Sequence, residues 1–152
     1  MPRMGPRARQ RNHSMLPLKS VLLVDDDSTT NYLNKILLNR LGVTQQLLVA
    51  ENGREALDTL AEVCGVPTPN CPSLILLDIN MPVMSGIEFL EAYQKLTWPQ
   101  RQPIVIVLLT TSVNPQDLAR VQELPIAGTL TKPLTEAKMR DLLQTHFPSV
   151  AE

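Results

Sequence analysis

The chain has 152 residues, 43% of them apolar, which suits one domain around one hydrophobic core, and its apolar run at residues 104–109 is far short of the roughly 18 residues that a membrane-spanning helix needs. All 15 acids lie after residue 15 while four of the 14 bases lie before it, so residues 16–152 carry 15 acids against 10 bases, a balance of −5. An acidic domain argues against direct nucleic-acid binding, which wants a clustered basic face, and nothing in the composition calls for a membrane.

The first 16 residues hold Arg3, Arg7, Arg9 and Arg11 among Pro2, Gly5 and Pro6, without the apolar stretch of a secretory signal. They read as a disordered basic leader, with the domain proper at 17–149, no output domain after it, and a cytoplasmic location. Residues 21–24 (Val-Leu-Leu-Val) are a short buried strand ending in Asp25, Asp26 and Asp27. Residues 28–41 follow as a helix, with Ser28 as its cap, Leu33, Ile36, Leu37 and Leu41 on its inner face, and Gly42 as its stop. A second strand covers residues 47–50, and the turn Asn52-Gly53 leads into a helix over 54–63. Cys64 and Cys71 bracket a turn-rich loop and are expected to be reduced thiols, since nothing in the chain directs it to an oxidising compartment, with a labile disulfide across the short loop as the alternative.

The third strand, residues 74–77, ends in Asp78. A helix over 85–96 buries Phe89, Leu90 and Tyr93. After a loop marked by Trp98-Pro99 and Pro103, the fourth strand spans 104–109 and ends in Thr110. Asn114-Pro115 caps a short helix ending near Glu123. The fifth strand, residues 127–131, ends in Lys132, and Thr135 caps a last helix that turns Met139, Leu142, Leu143 and Phe147 inward. Strict strand–helix alternation implies a parallel sheet with helices on both faces, wound by right-handed crossovers.

The ends of parallel strands form the binding crevice of such a sheet. A carboxylate at the end of an apolar run is poorly placed for packing and well placed for chemistry. Asp26 and Asp78 suit Mg²⁺, which takes one or two carboxylates and keeps its waters, with Asp25 holding a metal-bound water. A carboxylate can also accept a phosphoryl group, Lys132 can neutralise phosphoryl oxygens, and Thr110 can donate to them. Acids before a helix often do no more than cap it, and a lysine before proline is usually a solvated loop charge. The conjunction at the ends of four strands is harder to dismiss.

The segments Val21-Leu22-Leu23-Val24-Asp25-Asp26-Asp27, Leu76-Leu77-Asp78-Ile79-Asn80-Met81-Pro82-Val83-Met84-Ser85-Gly86, Leu109-Thr110-Thr111 and Thr131-Lys132-Pro133 stand in one order over residues 19–147. Together they resemble the receiver domain of two-component response regulators. The resemblance implies a flavodoxin-like, doubly wound five-stranded sheet of order 2-1-3-4-5. It makes Asp78 the phosphoacceptor, Asp25 and Asp26 the acidic pair, and Asn80 a metal ligand through its backbone carbonyl. Lys132 becomes the essential lysine before a cis proline, and Thr110, which lies 22 residues before Lys132, the switch hydroxyl. It implies Mg²⁺ as cofactor, a histidine kinase or histidine phosphotransfer protein as donor, and a downstream protein target. It also implies a monomer or a phosphorylation-dependent dimer, and self-catalysed phosphotransfer in a domain that is not otherwise an enzyme. The family often carries an aromatic three residues before the lysine, and this chain has Thr129. A relay intermediate is the alternative within the family.

Rival readings fare less well. Asp25-x-Asp27-x-Thr29 fits the first motif of haloacid-dehalogenase-like phosphatases, but only 20 residues follow Lys132 and they offer no further acidic strand. A flavin- or nucleotide-binding module would want a glycine- or hydroxyl-rich phosphate loop where this chain has three acids. A receiver that only docks partners would have no use for the Asp78, Thr110 and Lys132 set.

Overall fold

The strands are short apolar runs whose alternate side chains enter opposite faces of one sheet. In the computed structural model, which describes residues 18–64, 71–96, 103–111 and 115–148, they are β1 (Leu18–Val24), β2 (Thr44–Ala50), β3 (Leu74–Leu77), β4 (Val105–Thr110) and β5 (Gly128–Thr131). All neighbouring pairs are parallel and the order is β2-β1-β3-β4-β5, as expected. The helices are α1 (Ser28–Leu41), α2 (Gly53–Cys64), α3 (Gly86–Tyr93), α4 (Pro115–Val121) and α5 (Glu136–His146).

Two cores follow from the alternation. Leu22, Val24, Ile75, Leu77, Ile106 and Leu108 face α2, α3 and α4, meeting Ala56, Leu60, Phe89, Leu90 and Val121. Val21, Leu23, Leu74, Leu76, Val107 and Leu109 face α1 and α5, meeting Leu38, Met139, Leu142 and Leu143. Strand β3 lies between β1 and β4, and all four of its side chains are buried, each contributing on the order of 1.5–3 kcal/mol.

Strands β1 and β2 start earlier than their apolar runs suggested, because Leu18 and Thr44 already pair in the ladder, while β4 and β5 start one residue later, at Val105 and Gly128. Helix α3 ends at Tyr93 rather than 96, and α4 at Val121 rather than 123. The leader, Trp98-Pro99 and Asn114 lie outside the described residues.

Three expectations need correction. The cap of α1 is Asp27, whose carboxylate accepts the Thr29 N–H at 3.1 Å, because Ser28 already lies in the helix. Of the four apolar residues expected on the inner face of α1, Leu37 and Leu41 pack against the core but Leu33 and Ile36 are 57% and 45% exposed, and the helix buries Asn31, Asn34 and Leu38 instead. The helix is rotated so that Asn31 Nδ2 donates to the Asp25 carbonyl at 2.8 Å, a backbone acceptor at the strand end that no leucine could satisfy. Gly42 does end α1: at φ +65° it donates to the Leu38 and Asn39 carbonyls.

The third correction concerns the thiols. Cys64 closes α2 and Cys71 stands just before β3, with Cα atoms 4.7 Å apart, inside the usual range for a disulfide, and the two sulfurs are bonded. With seven residues of separation the ring is small, so its entropic contribution is about 2–2.5 kcal/mol. Reduction is therefore expected to lower the thermal unfolding midpoint by several degrees, read as the difference between scans with and without reductant. A shift of less than about one degree would show that the crosslink contributes nothing to stability.

Candidate functional site

The ladder continues one step past each strand, and this is what gathers the polar residues. Asp25 N–H donates to Ala50 O at 3.1 Å, Asp78 N–H to Val24 O at 2.9 Å, and Lys132 N–H to Thr110 O at 2.8 Å. Val24 pairs with Leu77, so the residues after them, Asp25 and Asp78, emerge side by side. Carboxylate oxygens of Asp25, Asp26 and Asp78 lie within 4.8 Å of one another. Asp25 and Asp78 are buried, at 4% and 7% exposure, and Asp26 faces solvent.

Lys132 reaches this group from the other side of the crevice. Its Nζ is 2.6 Å from Asp25 Oδ2 and 3.5 Å from Asp78 Oδ1. Asp25 Oδ1 accepts the Asp27 N–H, and Asp78 Oδ1 accepts the Ile79 N–H, each at 2.9 Å. Both contacts of the Asp78 carboxylate thus fall on Oδ1, and Oδ2 carries no hydrogen bond among the described residues. Burial pushes the Asp78 carboxyl above its ordinary value, the charge of Asp25 pushes the same way, and Lys132 and the Ile79 N–H offset part of this. Burial alone would depress the Lys132 ammonium, but the hydrogen bond to Asp25 and the charges of Asp25 and Asp78 outweigh it and the net shift is upward.

Asp27 takes no part in the cluster. Its carboxylate holds the Thr29 N–H and the Thr30 hydroxyl, and the Thr30 bond, ahead of the Thr29 bond, favours the ionised form and holds its pKa below the ordinary value. Thr110 is 1% exposed at the end of β4, opposite Thr131, whereas Thr111 faces solvent. Asn80 is exposed at the start of the loop after Asp78, Thr129 is exposed on β5, and the Lys132-Pro133 bond is cis.

The loop after Asp78 is tightly built. Gly86 N–H donates to Ile79 O at 2.8 Å, and a Cβ at Gly86 would overlap the Asp78 carbonyl oxygen. Met84 N–H donates back to Pro82 O at 2.7 Å across Val83, whose φ of +69° is strained for a β-branched residue. Ser85 and Glu88 then form a reciprocal capping box that starts α3.

The sequence pattern missed Asn31 and Asn34. Both line the small space beside Asp25 and Asp78, and the polar-in, apolar-out order of α1 was the available signal. It also missed a groove of about 190 Å³ beside Lys132, lined by Thr30, Leu33, Asn34, Leu109, Pro133 and Leu134.

The donor set fits a hard divalent cation: oxygen ligands, one of them solvent-facing so that waters can complete the shell. The described residues contain no helix long and apolar enough to cross a membrane. The family model of the response regulator receiver domain matches residues 21–144. The chain belongs to the response regulator receiver family. It is 32% identical to the response regulator Rcp1 of Synechocystis over 116 residues, covering 76% of this chain and 78% of that one. It is 31% identical to a probable chemotaxis protein CheY of Rhizobium etli over 127 residues, covering 84% and 91%. Among solved structures, a two-component response regulator from Cytophaga hutchinsonii superposes with a TM-score of 0.76 at 27% identity, covering 88% of this receiver and 99% of that chain.

The crowding of buried acids has a measurable consequence in this receiver. The folded chain holds a proton on Asp78 more tightly than the unfolded chain does, so folding gains from the protonated carboxyl at acid pH. That gain is lost as pH rises above the ordinary value of 3.8 and through the raised one. Asp78→Asn removes the loss. In chelator at about pH 7 the variant is expected to unfold at a higher temperature than the parent, with the difference shrinking as pH falls toward the ordinary carboxyl value. A midpoint at or below the parent's at neutral pH would contradict the charge-crowding account.

Proposed function

We propose that this receiver takes a phosphoryl group from a phosphohistidine onto Asp78 and signals through the change in protein affinity that follows. The observation that carries this reading is the Asp78 carboxylate itself, buried beside Asp25 and 3.5 Å from the Lys132 ammonium. An oxygen of Asp78 attacks phosphorus, the P–N bond to the donor imidazole breaks, and an acyl phosphate forms on Asp78. The attacking carboxylate and the incoming phosphoryl group are both negative, so the barrier is largely electrostatic. Lys132 offsets charge on the phosphoryl oxygens, at the expense of its contact with Asp25. Asp25, Asp26 and Asp78 would hold Mg²⁺, with the Asn80 carbonyl as a further ligand; the ion would supply charge neutralisation and a fixed angle of approach. Asp25 is itself held by Lys132 and by Asn31 on its backbone carbonyl. Thr110 lies one strand over, and its hydroxyl would turn to the phosphoryl group once it is present, shifting the receiver between two conformations.

The donor is a histidine kinase or a phosphotransfer protein, which we place with this receiver in the cytoplasm. It has to bring its phosphorus to the crevice, so it docks on the rim. Tyr32, Leu33 and Ile36 are 63%, 57% and 45% exposed on α1, and Leu33 lines the groove beside Lys132. This apolar patch suits a partner helix. One observation supports the alternative route out, onward transfer to a second phosphotransfer protein. Among the described residues, the large exposed hydrophobics lie on α1, β2 and the loop after Asp78, not on α4, β5 or α5. The β5 position where the family often has an aromatic is the exposed Thr129.

Incubation with acetyl phosphate and Mg²⁺ is expected to add one phosphoryl group by intact-mass measurement. Chelator and Asp78→Asn are each expected to abolish it, and labelling that persists in the variant would remove Asp78 as acceptor. Thr110→Ala is expected to leave uptake within about threefold of the parent while weakening the phosphorylation-dependent gain in partner affinity. If Thr111→Ala has that effect instead, the switch hydroxyl is the neighbouring one.

A further inference from the structure

We propose that Lys138 is the positioning residue for the Lys132 ammonium, an inference that rests on the phosphoryl-acceptor reading above. Lys138 Nζ donates to Thr131 O at 2.6 Å, to Thr131 Oγ1 at 3.2 Å and to Pro133 O at 3.0 Å. An ammonium has three protons, and these three acceptors use them all. The two carbonyls flank Lys132 on either side. Ahead of it, the Lys132 N–H is already fixed to Thr110 O at 2.8 Å by the last rung of the ladder. The strand ladder thus holds the backbone before Lys132, and Lys138 holds it on both sides. The Lys132 side chain starts from a fixed Cα and reaches Asp25 Oδ2 at 2.6 Å.

The place of Lys138 in its own helix argues that this bond is what holds it there. Thr135 caps α5 and accepts the Lys138 N–H at 3.2 Å, so Lys138 is the third residue of the first turn. That position lies at the positive end of the helix dipole, where a cation is unfavourable and a glutamate can complete a capping box. Helix α3 has that box, with Glu88 at the corresponding position bonded back to the Ser85 N–H. In α5 the side chain at this position leaves the cap and crosses to the loop carrying Lys132. The half-buried Lys138 does not touch the acidic cluster, so it acts through Lys132 rather than on the phosphoryl group.

The test compares the parent, Lys138→Met, Lys132→Met and the double variant, using acetyl phosphate with Mg²⁺ and reading the phosphorylation rate by mass. Lys138→Met is expected to slow uptake at least fivefold while leaving Mg²⁺ affinity, measured by calorimetry, within twofold of the parent. The double variant is expected to be no slower than Lys132→Met alone, since the clamp acts through that ammonium. An unchanged rate in Lys138→Met, or losses that multiply in the double variant, would overturn the proposal. A second readout needs no phosphoryl transfer: the Lys132 amide is expected to exchange with solvent about tenfold faster in Lys138→Met, and unchanged protection would overturn the clamp. Lys138→Arg, which keeps charge and donors, is expected to fall between parent and Lys138→Met on both readouts, and it supplies the comparison if the methionine variant does not fold. A parent that takes up no phosphoryl group would remove the acceptor reading, and the exchange measurement would still decide the clamp.

Discussion

Two carboxylates buried side by side are the constraint around which the rest of this molecule is arranged. At the separation seen for the cluster, within 4.8 Å, unit charges repel by about 3 kcal/mol at the effective dielectric typical of proteins. The fold does not relieve this by moving the acids apart, because the ladder fixes Asp25 and Asp78 on adjacent strands. It relieves it by bringing in Lys132 from β5, at the far edge of the sheet from β2. A single ammonium against three acids leaves the cluster short of positive charge, and that shortfall is the electrostatic basis for attracting a divalent cation.

Around this centre the molecule accepts local arrangements that packing alone would not choose. Helix α1 turns two asparagines inward and leaves a tyrosine, a leucine and an isoleucine in water. One asparagine secures the backbone of Asp25, and the displaced apolar side chains become a surface next to the groove beside Lys132. The loop after Asp78 carries a β-branched residue at positive φ and a glycine where any side chain would strike the Asp78 carbonyl. Such departures concentrate where a function, rather than a core, sets the geometry.

Much of this was legible in the chain because each strand's apolar run stops at a polar residue. Once the strands are parallel, the stopping points must share an edge, and Asp25, Asp78, Thr110 and Lys132 could be placed together without coordinates. The inner face of α1 was not legible in the same way. Counting apolar residues selects Leu33 and Ile36, while the helix is oriented by a backbone carbonyl that needs a donor. In Asp25-Asp26-Asp27 the crevice pair was legible and the cap was not, because whether an acid caps a helix or faces a crevice depends on a single backbone step. Lys138 gave no signal, since two of its three acceptors are main-chain oxygens that no residue type announces.

The crosslink between Cys64 and Cys71 spans the one connection that leads from α2 on the sheet's flank into β3 at its centre. Covalent continuity at that crossover is therefore carried twice, once by peptide bonds and once by sulfur. A chain nicked between the two cysteines would remain a single molecule, with β1 and its acidic pair on one fragment and Asp78 with Lys132 on the other. Reduction would then remove the last covalent tie between them, leaving the acidic cluster shared by two chains, with Asp25 and Asp26 on one and Asp78 on the other, along a line that the sheet itself does not mark.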